Sequence, residues 1–278
     1  MTAVISYYKD IMDRSLPLFL FLLLAVPSAF AQTPDTVFLE DLTWTELQDQ
    51  IRAGKTTVIV PIGGTEQNGP YMALGKHNVR VRALSEKIAR ALGNALVAPV
   101  LAYVPEGGLN PPTAHMRFPG TITVPDATFK QVLEYAARSF KHHGFRDVVF
   151  LGDHGGYQAD EKAVADRMNH EWAATPVRAH AVEEYYRASQ TEYDQALKSR
   201  GYRNQEIGTH AGLADTSLML AVDPRLVRTD RLRAAGEHES AAGVYGDPRR
   251  ASAELGQVGV DIIVTRTVDA IRKAVTRP

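Results

Sequence analysis

The chain has 278 residues, with 31 Lys and Arg against 32 Asp and Glu and a formal net charge of −1. So even a balance, with no basic tract or basic helix, argues against nucleic acid or an anionic membrane as partner. There is no cysteine, which excludes disulfides, thiolate nucleophiles and thiolate metal sites. Any metal must be held by His, Asp and Glu, a donor set suited to Zn, Mn, Fe or Mg.

In chain order, residues 16–26 are almost wholly apolar (LPLFLFLLLAV), preceded by Lys9 and Arg14 and followed by Ser28-Ala29-Phe30-Ala31. A charged flank, a short apolar core and an A-x-A-like site predict a signal peptide over residues 1–31, cleaved after Ala31 to leave Gln32. The apolar run is short for a membrane span, which weighs against the alternative of an uncleaved anchor. Met12, with Arg14 just before the apolar core, is a second candidate start. The expected mature protein, residues 32–278, is of a size for one α/β domain, periplasmic or secreted and free of the membrane.

The periodicity then alternates between helices and buried strands. Residues 43–53 predict a helix with Thr43 as N-cap and Glu46 three residues later. Residues 56–62 (TTVIVPI) predict a buried strand, 78–92 a helix with Val81, Leu84, Ile88 and Leu92 on one face, and 95–101 a second strand. Residues 102–120, rich in Gly and Pro, predict a long loop of the kind that often carries function. A helix follows over 125–143, with Phe129, Val132, Leu133, Ala136 and Phe140 facing inward and Gly144 ending it. Strands are expected at 147–151 and 176–181, helices at 159–172, in parts of 185–201, at 213–222 and at 258–275. Residues 225–252 give no clear pattern. Strands separated by helices predict an α/β fold with a mostly parallel sheet covered on both faces, in which ligands sit at the carboxyl ends of the strands.

Three clusters of metal-competent residues stand beside glycines. Gly63-Gly64-Thr65-Glu66-Gln67-Asn68 follows the first strand, with Gly75-Lys76-His77 just beyond. Gly152-Asp153-His154-Gly155-Gly156-Tyr157 ends the third, and Thr209-His210-Ala211-Gly212 with Asp215 opens a helix. Bland readings exist for each member: Glu66 as a turn cap, His154 as a turn histidine, Asp215 as a first-turn carboxylate favoured by the helix dipole. No Gly-Lys-Ser/Thr follows Gly63-Gly64, so a phosphate-cradling P-loop is excluded. His142 and His143 suit a helix C-terminus, and His170 and His180 lack supporting context. The coincidence of three clusters, two at predicted strand ends, favours a site.

Residues 61–70 (PIGGTEQNGP) resemble the P-x-G-S-x-E-Q-H-G-P motif of the creatininase family of amidohydrolases. His115 with Phe118-Pro119-Gly120-Thr121 is similar to the family's H-x-x-F-P-G-T segment, and Asp153-His154-Gly155-Gly156 to its N-G-H-G-G-N motif. His210-Ala211-Gly212 with Asp215-Thr216-Ser217 resembles H-A-G-x-x-E-T-S. The four matches occur in family order and span most of the expected mature chain. The resemblance implies a three-layer α/β/α fold with a mostly parallel central sheet, often a homo-hexamer, and hydrolysis of C–N bonds in cyclic or linear amides with two divalent ions.

The sequence departs from the family pattern at the ligands. Asn68 stands at the position of a family His, His77 at that of the bridging Asp, Tyr157 at that of the last Asn, and Asp215 at that of a Glu. A neutral imidazole offers one lone pair and cannot bridge two metals. The expectation is therefore one ion per subunit, Zn or Mn with Fe as a further option, held by Glu66, His77 and His154 with water in the open positions. Asp215 is expected as a fourth ligand or an orienting partner, with Asp153 a rival for either job. A metal-activated water, with Glu66 and His210 as the catalytic residues and His210 as general acid/base, would cleave an amide or lactam bond of a small molecule. His115, Tyr157, Asn68 and Glu106 are the expected substrate contacts. The alternatives are a non-catalytic periplasmic protein binding a metal or solute, and a lactone hydrolase.

Overall fold

The computed structural model describes residues 34–232 and 240–276. The leader expected over 1–31 lies outside them. Helix α1 (Trp44–Arg52) starts at Thr43, whose side chain and that of Glu46 cap each other's backbone N–H groups. Strand β1 (Thr57–Ile62) is buried along its whole length. Helix α2 (Lys76–Leu92) begins two residues before the predicted start, which brings Lys76 and His77 into its first turn. It ends at Gly93, which takes the left-handed conformation. Strand β2 (Ala95–Val97) is shorter than expected, although Leu101 still forms a bridge with Ile62.

Helix α3 (Asp126–His142) precedes β3 (Asp147–Gly152), and α4 (Gln158–Glu171) precedes β4 (Arg178–Ala181). Val132 was expected inside but is 44% exposed, because α3 buries the narrower stripe of Phe129, Leu133 and Ala137. The helical stretch after β4 is broken into α5 (Glu184–Gln190) and α6 (Glu192–Lys198) at Thr191. A short α7 (Asn204–Ile207), absent from the periodicity, precedes α8 (Leu213–Val222), whose bounds are as expected. After a short α9 (Thr229–Leu232), α10 (Ala253–Val275) starts five residues early, where the Ser252 side chain accepts from the Leu255 N–H.

The four strands form one parallel sheet in the order β2-β1-β3-β4. Successive side chains of a strand point to opposite faces, and β1 divides accordingly. Ile59 packs with Val81, Leu84 and Ile88 of α2, Leu218 of α8 and Val260 of α10. Val58, Val60 and Ile62 pack with Phe129 and Leu133 of α3 and Val164 and Met168 of α4. The result is the expected three-layer α/β/α arrangement. The chain leaves β1 for β2 on one side and returns to β3 on the other. The carboxyl ends of β1 and β3 therefore form the switch-point crevice where ligands bind in such sheets.

Candidate metal and catalytic site

The segments leaving β1 and β3 place Glu66, Asp153 and His154 at this crevice, and α2 presents Lys76, His77 and Arg80 to it. A cavity of roughly 260 Å³ opens there, lined by Lys76, His77, Arg80, His154 and His210 with an outer wall that includes Tyr186 and Tyr245. Glu66 lies behind the lining residues His77, His115 and His154, with no exposed surface.

The two oxygens of Glu66 face different surroundings. Oε1 lies 2.7 Å from His77 Nε2 and 3.5 Å from Lys76 Nζ. Oε2 lies 3.1 Å from His115 Nε2 and 3.7 Å from His154 Nε2, and accepts no hydrogen bond. Burial pushes the Glu66 carboxyl up, but His77 and Lys76 outweigh it and hold the group well below the usual carboxylate range. Glu106, from the long loop, is buried with neither oxygen meeting a donor. Burial and then the charge of Glu66 push its carboxyl up to about 9.

Glu66, Glu106, His115 and His154 can each bring one donor atom within 4.8 Å of the others. Two buried carboxyl groups facing two imidazoles are costly unless Glu106 keeps a proton, shared with Glu66, or a cation takes that proton's place between them. Burial lowers His115, and lowers His154 to about 4, so both rings are neutral and have a lone pair to offer near neutral pH. The residues present therefore fit one divalent ion.

This grouping differs from the expected Glu66, His77, His154 and Asp215. Both nitrogens of His77 face carboxylates, with Nε2 on Glu66 and Nδ1 2.7 Å from Asp153 Oδ2. With a carboxylate oxygen against each nitrogen, and Arg80 Nη2 3.3 Å from Nδ1, the ring is taken up by side-chain partners and stands outside the group of Glu66, Glu106, His115 and His154. Asp215 is engaged as well, accepting from Lys76 Nζ, Arg80 Nη1 and the Ala211 N–H. Burial alone would raise its pKa, but Lys76 and Arg80 hold it well below normal. Asp153 accepts from His77, Arg80 Nε and the Tyr185 hydroxyl, and so fixes the His77 ring.

Of the expected substrate contacts, His115 lines the cavity, and Glu106 sits with the metal-competent group. Tyr157 and Asn68 are turned away. The fully buried Tyr157 hydroxyl donates toward the carbonyls of Ile62 and Gly63, pinning the end of β1. The Asn68 amide donates to the carbonyls of Glu66 and Ala73 and so staples the loop that carries Glu66. His210 lines the cavity, and its Nε2 lies 2.9 Å from the Gln67 carbonyl oxygen and 3.1 Å from the Gln67 side-chain amide nitrogen. Its Nδ1 lies 3.6 Å from Glu66 Oε1. Burial and then Lys76 push His210 down to about 3, so the ring is neutral.

Lys76 and Arg80 were missed in the sequence. Both are nearly inaccessible to solvent, and they occupy the row Lys76, Arg80, Leu84, Ile88, spaced four residues apart on the buried side of α2. Charge on an apolar row is a legible signal, because buried cations are rare unless paired.

A profile described as creatinine amidohydrolase, of the creatininase family, matches residues 40–271. The chain belongs to the creatininase family. It is 26% identical over 265 residues to the creatinine amidohydrolase of Pseudomonas putida, covering 86% of this chain and 97% of that one. It is 25% identical over 255 residues to the mycofactocin precursor peptide peptidase of Mycolicibacterium smegmatis, covering 82% and 90%. A 3-dehydro-scyllo-inosose hydrolase of Thermotoga maritima is 25% identical over 202 residues, covering 72% and 60%. A crystal structure of creatininase superposes with a TM-score of 0.73 at 25% identity, over 88% of this chain and all of that one. A zinc–zinc form of a creatininase mutant gives 0.72 at 27% identity over 88% and 100%, and a manganese creatininase 0.69 at 26% over 87% and 100%. The creatininase fold, with a site able to hold a metal, is thus common ground between this chain and known metalloenzymes.

Proposed function

We propose that this creatininase-family protein is an exported, metal-dependent hydrolase that cleaves a C–N bond, amide or lactam, in a small molecule. The observation that carries the reading is the set of donor-free buried oxygens of Glu66 and Glu106 facing His115 and His154 at the end of a cavity. Glu66, Glu106, His115 and His154 would hold one divalent ion, zinc or manganese by the precedent of the related structures. When bound, the ion supplies a nucleophilic water at neutral pH and polarises the scissile carbonyl.

The chain's own residues do the rest. His210 presents a free Nδ1 lone pair and takes a proton from the attacking water, which it returns to the leaving nitrogen. The tautomer this requires is the one in which Nε2 donates to the Gln67 carbonyl, 2.9 Å away. Tyr186 and Tyr245 form the outer wall against which a small substrate packs. The names of two relatives, creatinine amidohydrolase and a precursor peptide peptidase, support C–N chemistry. The variety of those names leaves the substrate to be found by screening.

Export rests on the leader pattern of residues 1–31, and a periplasmic or secreted homo-oligomer without nucleic-acid or membrane partners completes the proposal. Among the described residues no helix is long and apolar enough to cross a membrane. The test is a panel of lactams and linear amides against matched lactones, with zinc- or manganese-loaded, chelated and His210→Ala protein. Metal-dependent turnover of an amide, lost in His210→Ala, is expected. Turnover of lactones alone would move the reading to ester chemistry, and ion binding without any turnover would leave a binding protein.

A further inference from the structure

Glu66 carries a cation on only one of its two sides. Its Oε2 faces the open group of His115, His154 and Glu106, whereas its Oε1 faces His77 and the ammonium of Lys76. Lys76 Nζ sits between Glu66 Oε1 at 3.5 Å and Asp215 Oδ2 at 2.8 Å, and its side chain is 1% exposed. Arg80 locks the far oxygen of Asp215 at 2.8 Å and holds Asp153 at 2.9 Å, so the carboxylates cannot turn away. Two buried carboxylates, Glu66 and Asp153, and the half-buried Asp215 are thus met by three side chains at the start of one helix: Lys76, His77 and Arg80.

We propose that Lys76 is a built-in cation that limits this site to one metal ion, its ammonium standing where Glu66 and Asp215 would otherwise hold a second. The inference rests on the reading of Glu66, Glu106, His115 and His154 as the ion site. The geometry is that of a carboxylate shared by two positive centres, one exchangeable and one covalently tethered. A tethered ammonium keeps positive charge beside the cavity without a second ion to bind or lose. It also repels an ion on the Oε2 side, so the wild-type site binds its single ion more weakly than its donor set alone would allow.

The test is zinc titration of the full mature chain by calorimetry, with stoichiometry confirmed by native mass spectrometry, on wild type, Lys76→Ala and Lys76→Gln. Circular dichroism establishes folding of each. Wild type is expected to bind one zinc. Lys76→Ala removes both the charge and the side chain that fills the space, and is expected to bind two, the second lost again in Lys76→Ala/Asp215→Asn. Lys76→Gln keeps the volume and loses the charge, and is expected to bind one zinc about tenfold more tightly. Cobalt supplies a spectroscopic check: a single isolated paramagnetic centre in wild type, and two spin-coupled centres sharing Glu66 in Lys76→Ala. Two ions in wild type would overturn the role of Lys76 while leaving the metal site intact. One ion of unchanged affinity in the folded variants would do the same. No ion in any form would instead overturn the metal reading on which the inference rests.

Discussion

His77 stands between two carboxylates, its Nε2 2.7 Å from Glu66 Oε1 and its Nδ1 2.7 Å from Asp153 Oδ2, and so clasps the segments that leave β1 and β3. Removing it leaves two buried carboxylates short of a partner, a loss that costs about 3–5 kcal/mol. His77→Gln, which can satisfy one of them at most, is expected to lower unfolding stability by a few kcal/mol in urea melts. The folded variant should keep its metal ion. A stable His77→Gln protein that no longer binds metal would return His77 to the ligand set.

Glu106 is expected to yield a proton when an ion binds. Its carboxyl, pushed up to about 9 by burial and by Glu66, is protonated at pH 7 without metal and must ionise to ligate. Calorimetric titration with zinc in buffers of different ionisation enthalpy should show release of about one proton at pH 7, fading as pH rises past about 9. The linkage for the metal-free protein has the opposite sense. A carboxyl raised on folding contributes stability below its unfolded pKa, and that contribution is lost as pH rises toward 9. Glu106→Gln should abolish both the proton release and this alkaline loss of stability.

Gly64 tests whether the loop geometry matters apart from the ligands. It adopts φ of +150°, and a Cβ there would lie 2.5 Å from Glu106 Oε1. Gly64→Ala must displace the Glu106 carboxylate or strain the backbone. Metal affinity is expected to fall about tenfold, as for other changes that misorient a ligand. Unchanged affinity in the calorimeter would show that Glu106 does not reach the ion.

Tyr157 separates a structural role from a substrate role. Its hydroxyl is buried against the Ile62 and Gly63 carbonyls, so Tyr157→Phe should cost about 1–3 kcal/mol of stability. KM for any substrate found in the screen should not move. A rise in KM with stability intact would place the ring in the substrate pocket.

The fold was legible because its signals are local and periodic. The β-branched run at 57–62 and the capped helix starting at Thr43 read directly as the elements that form. The meeting of these residues was legible too: Glu66, His115, Asp153, His154, His210 and Asp215 all converge on one crevice. The division of labour among them was not. A motif shows which residues meet, but not that Lys76 and Arg80, arriving on the same helix as His77, take up Asp215 and leave Glu66 Oε2 and Glu106 without donors. Tyr157 and Asn68 mislead for a similar reason. Their motif positions are adjacent to ligands, while their side chains turn back to bind backbone carbonyls.

The most direct test of the metal-hydrolase account is metal content per chain, measured on protein purified without added metal or chelator and again after zinc or manganese supplementation. Wild type, Glu106→Gln, His115→Ala and His77→Gln should be compared side by side. The account predicts one ion per chain in wild type and in folded His77→Gln, and loss of the ion in Glu106→Gln and His115→Ala. Retention of the ion in Glu106→Gln and His115→Ala with loss in His77→Gln would contradict it, as would a wild-type protein that binds no ion under any supplementation.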